Sequence, residues 1–188
     1  MKYQIILLFD LILISIIFFS CEDNYKVLND ININSQEPVG IANQIRMVYT
    51  DSIKIKAIVT APKHLDFTNL NFQYSTFPEG LKVDFYDDFG NKNQVISDYG
   101  ILYNSTKIID LKGNVVLKSH NGSKLYTNQL FWDVESKWLF TENFFTFQDS
   151  SYDFQAYRLD ANKEFTKFQT GELVGKISVN DSIDKGNN

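Results

Sequence analysis

The chain has 188 residues, of which 15% are aromatic, while only 3 are proline and 9 are glycine. This composition excludes a disordered, collagen-like or low-complexity protein. A single cysteine excludes an intramolecular disulfide framework and a metal site built from several thiolates, and two histidines leave little room for a zinc enzyme. The net charge is −5, and the 18 basic residues are intermixed with 23 acidic ones, unlike the clustered basic pattern of nucleic-acid-binding proteins.

The N-terminal region predicts export and membrane attachment. Residues 5–19 are apolar apart from Asp10 and Ser15, and a helix of this length reaches about 22 Å, short of the roughly 30 Å hydrocarbon core of a bilayer. Residues 1–20 are therefore expected to be an export signal, or alternatively a membrane anchor that is not cleaved. Cys21 follows the apolar run in a pattern that resembles a bacterial lipobox, so we expect it to carry a lipid anchor. The polar, Asn-rich residues 21–36 are expected to form a flexible tether.

From residue 37 onward, the dominant pattern is alternation of apolar and polar residues, which is typical of half-buried β-strands. Residues 53–61 and 81–86 show it clearly. No later segment keeps helical spacing for more than two turns, although residues 43–48 are compatible with one short helical turn. We therefore expect an all-β domain over residues 37–179 and a disordered tail over residues 180–188.

The alternation also predicts which side chains form the interior. Only one parity of a strand faces inward, and a slip of one residue reverses every side chain. The predicted interior set is Leu81, Val83, Phe85, Ile109, Leu111, Val115, Leu117, Tyr126, Leu130, Trp132, Phe145 and Phe147.

The second half of the chain repeats itself. Asn104, Asp133 and Asp160 each precede a short polar turn that contains a lysine, at spacings of 29 and 27 residues. Three tripeptides recur at intervals of 29 residues, namely 113–115, 142–144 and 171–173. Each unit predicts a strand, a hairpin turn and a second strand, so successive hairpins are expected to stack into an elongated, rolled pair of sheets.

Four motifs carry a family resemblance. In chain order they are PEGLKV at 78–83, SDYGILY at 97–103, LKGNVVL at 111–117 and NGSKLYTNQLFWD at 121–133. Together they resemble the LptC family, the periplasmic component of lipopolysaccharide export, and the resemblance extends over residues 35–177. Gly100 departs from the family pattern, because alanine is more usual there, and residues 152–154 lack the glycine-containing turn that the pattern leads us to expect.

The resemblance implies an open β-jelly roll of two antiparallel sheets and no cofactor. Such a protein is a lipopolysaccharide transport adaptor on the periplasmic side of the inner membrane. It receives lipopolysaccharide from the inner-membrane ABC transporter and passes it to the next periplasmic jelly-roll bridge protein. The predicted interior set would line the apolar groove for the acyl chains. The edge strands would pair with the neighbouring rolls through Val39 and Gly40 at one end and through Gly171, Leu173 and Gly175 at the other.

An enzyme is not expected from the residues alone. No hydrolase, metalloprotease or nucleotide-binding fingerprint occurs in the sequence. His64, His120 and the pair at 87–88 fit loops and turns better than catalytic or metal-binding roles.

Two competing interpretations remain compatible with the sequence. A surface lipoprotein with a carbohydrate- or protein-binding β-sandwich would expose Trp132, Trp138 and Tyr103 on an outer face, where the rings could stack on sugars. A scaffold without a ligand would show a fully packed interior. The side of the sheet on which the aromatic residues lie, and the presence of an apolar groove, distinguish these interpretations from a lipid conduit.

Overall fold

The computed structural model describes residues 37–163 and 165–179, and the regular structure in those ranges is antiparallel β-strand. The predicted signal or anchor at 1–20, Cys21, the tether at 21–36 and the tail at 180–188 lie outside the described residues. The twelve strands are β1 (Gly40–Asp51), β2 (Lys54–Phe67), β3 (Tyr74–Phe77), β4 (Leu81–Tyr86), β5 (Lys92–Ser97), β6 (Tyr99–Tyr103), β7 (Ile108–Lys118), β8 (Lys124–Asp133), β9 (Trp138–Gln148), β10 (Tyr152–Asn162), β11 (Phe168–Thr170) and β12 (Leu173–Val179). The expected all-β jelly-roll fold is confirmed.

Two local predictions near the start of the domain are wrong. Residues 43–48, compatible with a helical turn in the sequence, lie inside β1 and pair with β2. Ile53, expected as a half-buried strand residue, is fully exposed in the turn between β1 and β2. Ser52 and Ile53 have φ values of 49° and 74°, the left-handed conformation that a two-residue hairpin turn requires at both positions.

The strands form one sheet that folds into two facing layers. β2 pairs with β4 through its first half and with β3 through its second half. β7 pairs with β6 first and β5 second, and β10 pairs with β12 first and β11 second. We therefore assign β4, β5 and β12 to the first layer and β3, β6 and β11 to the second, while each long strand contributes to both. Phe85 of the first layer contacts Trp132 of the second, with ring centroids 4.7 Å apart.

The long strands bend along a line of backbone irregularities, which we call the corner. The pairing register shifts within residues 112–115 of β7, 127–131 of β8 and 157–159 of β10. A bulge of this kind bends a strand and increases its twist. The short strands break along the same line, at residues 78–80 between β3 and β4 and at Asp98 between β5 and β6. The corner therefore runs across the sheet and turns one layer over the other.

Asp98 and Gly113 hold the corner together. The backbone N–H of Asp98 donates to the Gly113 carbonyl oxygen at 3.0 Å, and the Asn114 amide Nδ2 donates to the Asp98 carboxylate at 2.6 Å. Gly113 has a φ of 73°, and a Cβ atom there would lie 2.9 Å from Asp98 Oδ2. Glycine is the residue that accepts both the left-handed backbone and the close approach of the carboxylate.

At the corner, the buried positions of β8 change from odd-numbered to even-numbered residues. The prediction that Tyr126 faces the interior is therefore wrong. Leu125 and Leu130 are both 0% exposed although their positions have opposite parity. The register shift between Thr127 and Phe131 accounts for this reversal. Tyr126 is only half-buried and borders a shallow outer depression with Phe144.

The interior is filled unevenly. Phe147 contacts Phe154 and Phe165 at centroid distances of 5.4 and 5.5 Å, and Phe145 meets Phe154 edge-on at 6.0 Å. These rings pack between the C-terminal strands. β2 instead contributes three smaller residues to the buried or partly buried interior: Ala57, Val59 and Ala61.

Gly100 has a packing reason for departing from the family pattern. A Cβ atom on Gly100 would lie 2.6 Å from Cδ2 of Leu81. The Leu81 side chain therefore occupies the space that an alanine methyl group would need at this position.

Gly113→Ala should lower the free energy of unfolding by more than Gly90→Ala does. Both glycines have a left-handed φ, 73° and 87°, so each substitution should cost about 1–2 kcal/mol for the Cβ atom. Gly90 faces open space, whereas a Gly113 Cβ would press on Asp98. We expect that crowding to add about 1–3 kcal/mol. Urea denaturation measures both variants, and equal losses would contradict the tight corner.

Candidate functional site

An apolar cavity of about 610 Å³ lies between the two layers. Its apolar lining comprises Ala57, Val59, Leu81, Val83 and Phe85 from the first layer and Phe77, Leu102, Ile109 and Trp132 from the second. Ala57 and Val59 of β2 face this space, whereas the phenylalanine cluster fills the interior elsewhere. The interior is therefore not fully packed. A scaffold without a ligand was expected to have a fully packed interior, so the cavity disfavours that interpretation.

Trp132 supplies a buried hydrogen-bond donor to the cavity wall. Its side chain is on the inner face, where the residue is only 7% exposed. Among the described residues, no group accepts a hydrogen bond from the indole Nε1. Leaving such a donor without a partner costs about 1–3 kcal/mol.

The inward position of Trp132 also weakens the interpretation as a carbohydrate platform. A sugar platform requires rings on an exposed outer face, but the Trp132 ring contacts Phe85 inside the roll. Tyr103 lies on a different surface and contacts the exposed Phe72, with ring centroids 5.6 Å apart. The predicted set of Trp132, Trp138 and Tyr103 therefore does not form one exposed surface.

Charged residues surround the mouth of the cavity. Asp51, Lys56 and Asp88 come from the first-layer side, and three lysines come from the turns of the second layer: Lys107, Lys137 and Lys163. Lys56 Nζ lies 2.9 Å from Asp88 Oδ1, and Lys137 Nζ lies 3.9 Å from Asp88 Oδ2. The second contact joins the two layers across the mouth.

Asp88 is the carboxylate on which these lysines converge. The hydrogen bond from Lys56 holds the pKa of Asp88 below its ordinary value of 3.8, and the charges of Lys137 and Lys163 act in the same direction. The same hydrogen bond raises the pKa of Lys56. Both groups are therefore charged at neutral pH, and the mouth has a persistent ionic character.

The structure divides the twelve predicted groove residues into three groups. Leu81, Val83, Phe85, Ile109 and Trp132 line the cavity. Six others are 0–5% exposed in the packed core and do not line it: Leu111, Val115, Leu117, Leu130, Phe145 and Phe147. Tyr126 lies on the outer face. Alternation identified the interior side correctly in most strands, but it did not distinguish a cavity wall from a packed core.

The predicted edge residues lie on, or just before, strands with a free side. Among the described residues, β1 pairs only with β2, and β11 and β12 pair only with β10. Val39 and Leu173 are 64% and 50% exposed. Gly40 begins β1, and Gly171 and Gly175 lie just before and within β12. The sheet therefore ends in two edges at opposite ends of the strand order.

Sequence reasoning missed two parts of the site. Phe77 and Leu102 belong to short second-layer strands, where alternation over four or five residues is a weak signal. The lysines of the mouth were visible as members of the repeated turns, but nothing in the sequence placed those turns beside the cavity. The expected loop position of His64 is wrong, because His64 lies in β2 and packs its ring against Phe77 with ring centroids 5.2 Å apart. His120 lies in a turn beside Asn93, as expected.

The fold and the cavity define the chain as an antiparallel jelly roll with an apolar interior. Comparison with known proteins identifies the family. Residues 6–174 match the family described as "Lipopolysaccharide-assembly, LptC-related", and the chain belongs to this family. Membership confirms the resemblance carried by the four motifs and places the protein in lipopolysaccharide transport. The family comprises periplasmic, inner-membrane-associated transport proteins and is not a known enzyme family.

Two further findings concern relatives with known functions and membrane-spanning helices. No functionally curated protein shows significant similarity to the chain. Within residues 37–163 and 165–179, no helix has the length and apolar character needed to cross a bilayer.

Lys56→Met should raise the pKa of Asp88 toward 3.8, because it removes the hydrogen bond that stabilises the charged carboxylate. A lowered pKa in the folded state stabilises the fold fully above pH 3.8, and this stabilisation is lost as the pH falls through the lower, folded-state pKa. Titration of the Asp88 carboxyl carbon by NMR measures the change. Lys92→Met is the control, because Lys92 pairs with Asp84. This substitution should leave the pKa of Asp88 unchanged. An unchanged midpoint in Lys56→Met would contradict the pairing.

Proposed function

We propose that the protein is a lipopolysaccharide transport adaptor that receives its cargo from the inner-membrane ABC transporter and passes it to the next periplasmic jelly-roll protein. The acyl chains of the cargo would occupy the apolar cavity between the two layers. The observation that carries this proposal is the cavity itself, because the roll has an apolar interior that its own side chains leave unfilled.

The chemistry of the cavity fits a hydrocarbon ligand that must also leave. Each methylene group that moves from water to an apolar wall contributes about 0.8 kcal/mol. Many weak contacts of this kind hold a chain without fixing it at one position.

The two free edges fit a protein that joins its neighbours by strand addition. An exposed edge presents backbone N–H and C=O groups to a strand of another protein, and such pairing extends one sheet into the next. The edge at Val39 and Gly40 would meet the roll of the transporter. The edge at Gly171, Leu173 and Gly175 would meet the downstream bridge protein.

Attachment to the membrane belongs to the same proposal. An N-terminal signal or anchor at 1–20, a lipid on Cys21 and a tether at 21–36 would hold the domain of residues 37–179 at the periplasmic side of the inner membrane. The motif that supports the lipid anchor is the cysteine at the end of the apolar run.

A photoreactive residue at Val83 or Phe85 should crosslink to lipopolysaccharide during ATP-driven export. Both side chains line the cavity, so a chain that occupies it must contact them. The same probe at Lys82, which is exposed on the intervening position of β4, should give no crosslink. Crosslinked lipopolysaccharide on gels of exporting cells provides the measurement.

A probe at Leu130 supplies a second control for the groove. Leu130 is on the interior side but is 0% exposed and lies outside the cavity. It should capture far less lipopolysaccharide than Val83. Equal capture by Lys82 and Val83, or no capture by Val83 in a working transporter, would contradict the proposed path.

Photoreactive residues at the two edges should identify different protein partners. A probe at Leu173 should capture the periplasmic bridge protein, and a probe at Val39 should capture the periplasmic part of the transporter. Phe89 is the matched control, because it is 93% exposed but lies in the turn between β4 and β5. Mass spectrometry of the crosslinked products gives the partners, and capture of the same proteins by Phe89 would refute pairing through the edges.

A further inference from the structure

The repeated turns of the second half bring three lysines into one row. Lys107, Lys137 and Lys163 lie in the turns that follow β6, β8 and β10, and these turns sit at the same end of the second layer. The Val134 N–H donates to the Lys107 carbonyl oxygen at 3.2 Å, and the Lys163 N–H donates to the Lys137 carbonyl oxygen at 3.1 Å. The turns are therefore stacked by direct backbone hydrogen bonds.

The spacing of the row follows from the spacing of the strands. Lys137 and Lys163 extend the β9–β10 ladder and lie opposite each other on neighbouring strands, about 5 Å apart. Lys107 extends the β7–β8 ladder opposite Val134, two strand spacings or about 9–10 Å from Lys137. Lys107 and Lys137 also share a left-handed backbone, with φ values of 55° and 57°. The sequence repeat thus places three cations along one side of the mouth. We call these lysines the lysine row.

The lysine row borders the apolar cavity directly. All three lysines line the mouth, whose other charged residues are Lys56, Asp51 and Asp88. Four lysines and two aspartates give these six residues a net charge of +2, although the whole chain carries −5. An apolar chamber with a cationic rim is complementary to an amphiphile whose head is anionic.

The Asp88 carboxylate shows that an anion at the mouth can contact a lysine of the lysine row. The carboxylate lies 3.9 Å from Lys137 Nζ, although Asp88 belongs to the opposite layer. Both side chains are more than half exposed, so water screens this contact and a stronger anion can replace the carboxylate. A phosphate monoester carries more charge at neutral pH and three acceptor oxygens, which makes it the stronger partner for lysine.

We propose that the lysine row binds the phosphate groups of a phosphorylated lipid while the chains of that lipid occupy the cavity. The phosphate takes the place of Asp88 beside Lys137. The neighbouring lysines donate hydrogen bonds to a second phosphate group, or to the same phosphate as the lipid moves along the row. This inference rests on the proposed function, because it requires that acyl chains enter the cavity. It adds a charge-dependent selection of the cargo at the mouth.

The test is a competition between two lipids that differ only in phosphate. The full-length chain, with a photoreactive residue at Phe85, is reconstituted in phosphatidylcholine vesicles. Equal amounts of didecanoyl phosphatidic acid and didecanoylglycerol are then added. The wild-type row should favour capture of the phosphorylated lipid by about tenfold, because charge-assisted hydrogen bonds are the strong ones. Raising the salt concentration should reduce this preference.

Three variants separate charge from fold. Changing Lys107, Lys137 and Lys163 together to Gln should bring the preference close to one, whereas changing the same three to Arg should retain it. The matched control changes three lysines in the first-layer parts of β4, β7 and β8 to Gln, namely Lys82, Lys118 and Lys124, and should also retain the preference.

The outcomes distinguish this inference from the proposed function. Equal capture of both lipids by the wild type, or a preference that the Gln variant keeps, would overturn phosphate binding by the lysine row. Neither result would contradict the proposed acyl-chain groove. Failure to capture either lipid at Phe85 would overturn the groove and, with it, the inference. Loss of the preference in the Arg variant would show that lysine geometry rather than positive charge is needed, which would overturn selection by charge.

Discussion

The bend at the corner lets one continuous sheet enclose an interior. A flat antiparallel sheet of these strands would leave its apolar face in water, and only the bend turns that face onto itself. Register shifts in the β7–β8, β8–β9 and β9–β10 pairs, where the extra residue is on β7 or β9, and the breaks around Gly80 and Asp98 lie along one line, so these long strands turn at the same place. Gly113, pressed against Asp98, provides the left-handed backbone that the turn needs.

The proposed function rests on how unevenly the folded interior is filled. Where β9 and β10 meet, phenylalanine rings occupy the space and the residues there are almost inaccessible. Where β2 and β4 face β6 and β8, smaller side chains leave a cavity that is walled by Phe85 and Trp132. The dense part stabilises the roll, because buried aromatic residues contribute large apolar areas. The same interior therefore combines a densely packed part with an unfilled apolar cavity.

Charge is arranged around that space rather than within it. The Asp88 carboxylate and the lysines of the opposite layer meet at the mouth, where solvent keeps both signs charged. Further lysines lie on the outer face of the first layer, as at Lys82 and Lys92 beside Asp84. The polarity of the protein thus changes sharply from the apolar wall to the ionic rim, over the width of one layer of turns.

The all-β class, the strand positions in the second half, the repeat and the family could all be predicted from the amino-acid sequence, because alternation and ordered motifs are local properties of the chain. The sequence also identified Val83, Phe85 and Trp132 as interior residues. It did not determine that Tyr126 faces outward, because the bulge that follows it reverses the parity of the strand. Nor did it separate Leu130, in a packed core, from Val83, in a cavity wall. That distinction depends on which side chains of distant strands face each other and how much volume they fill together, and only the tertiary structure decides it.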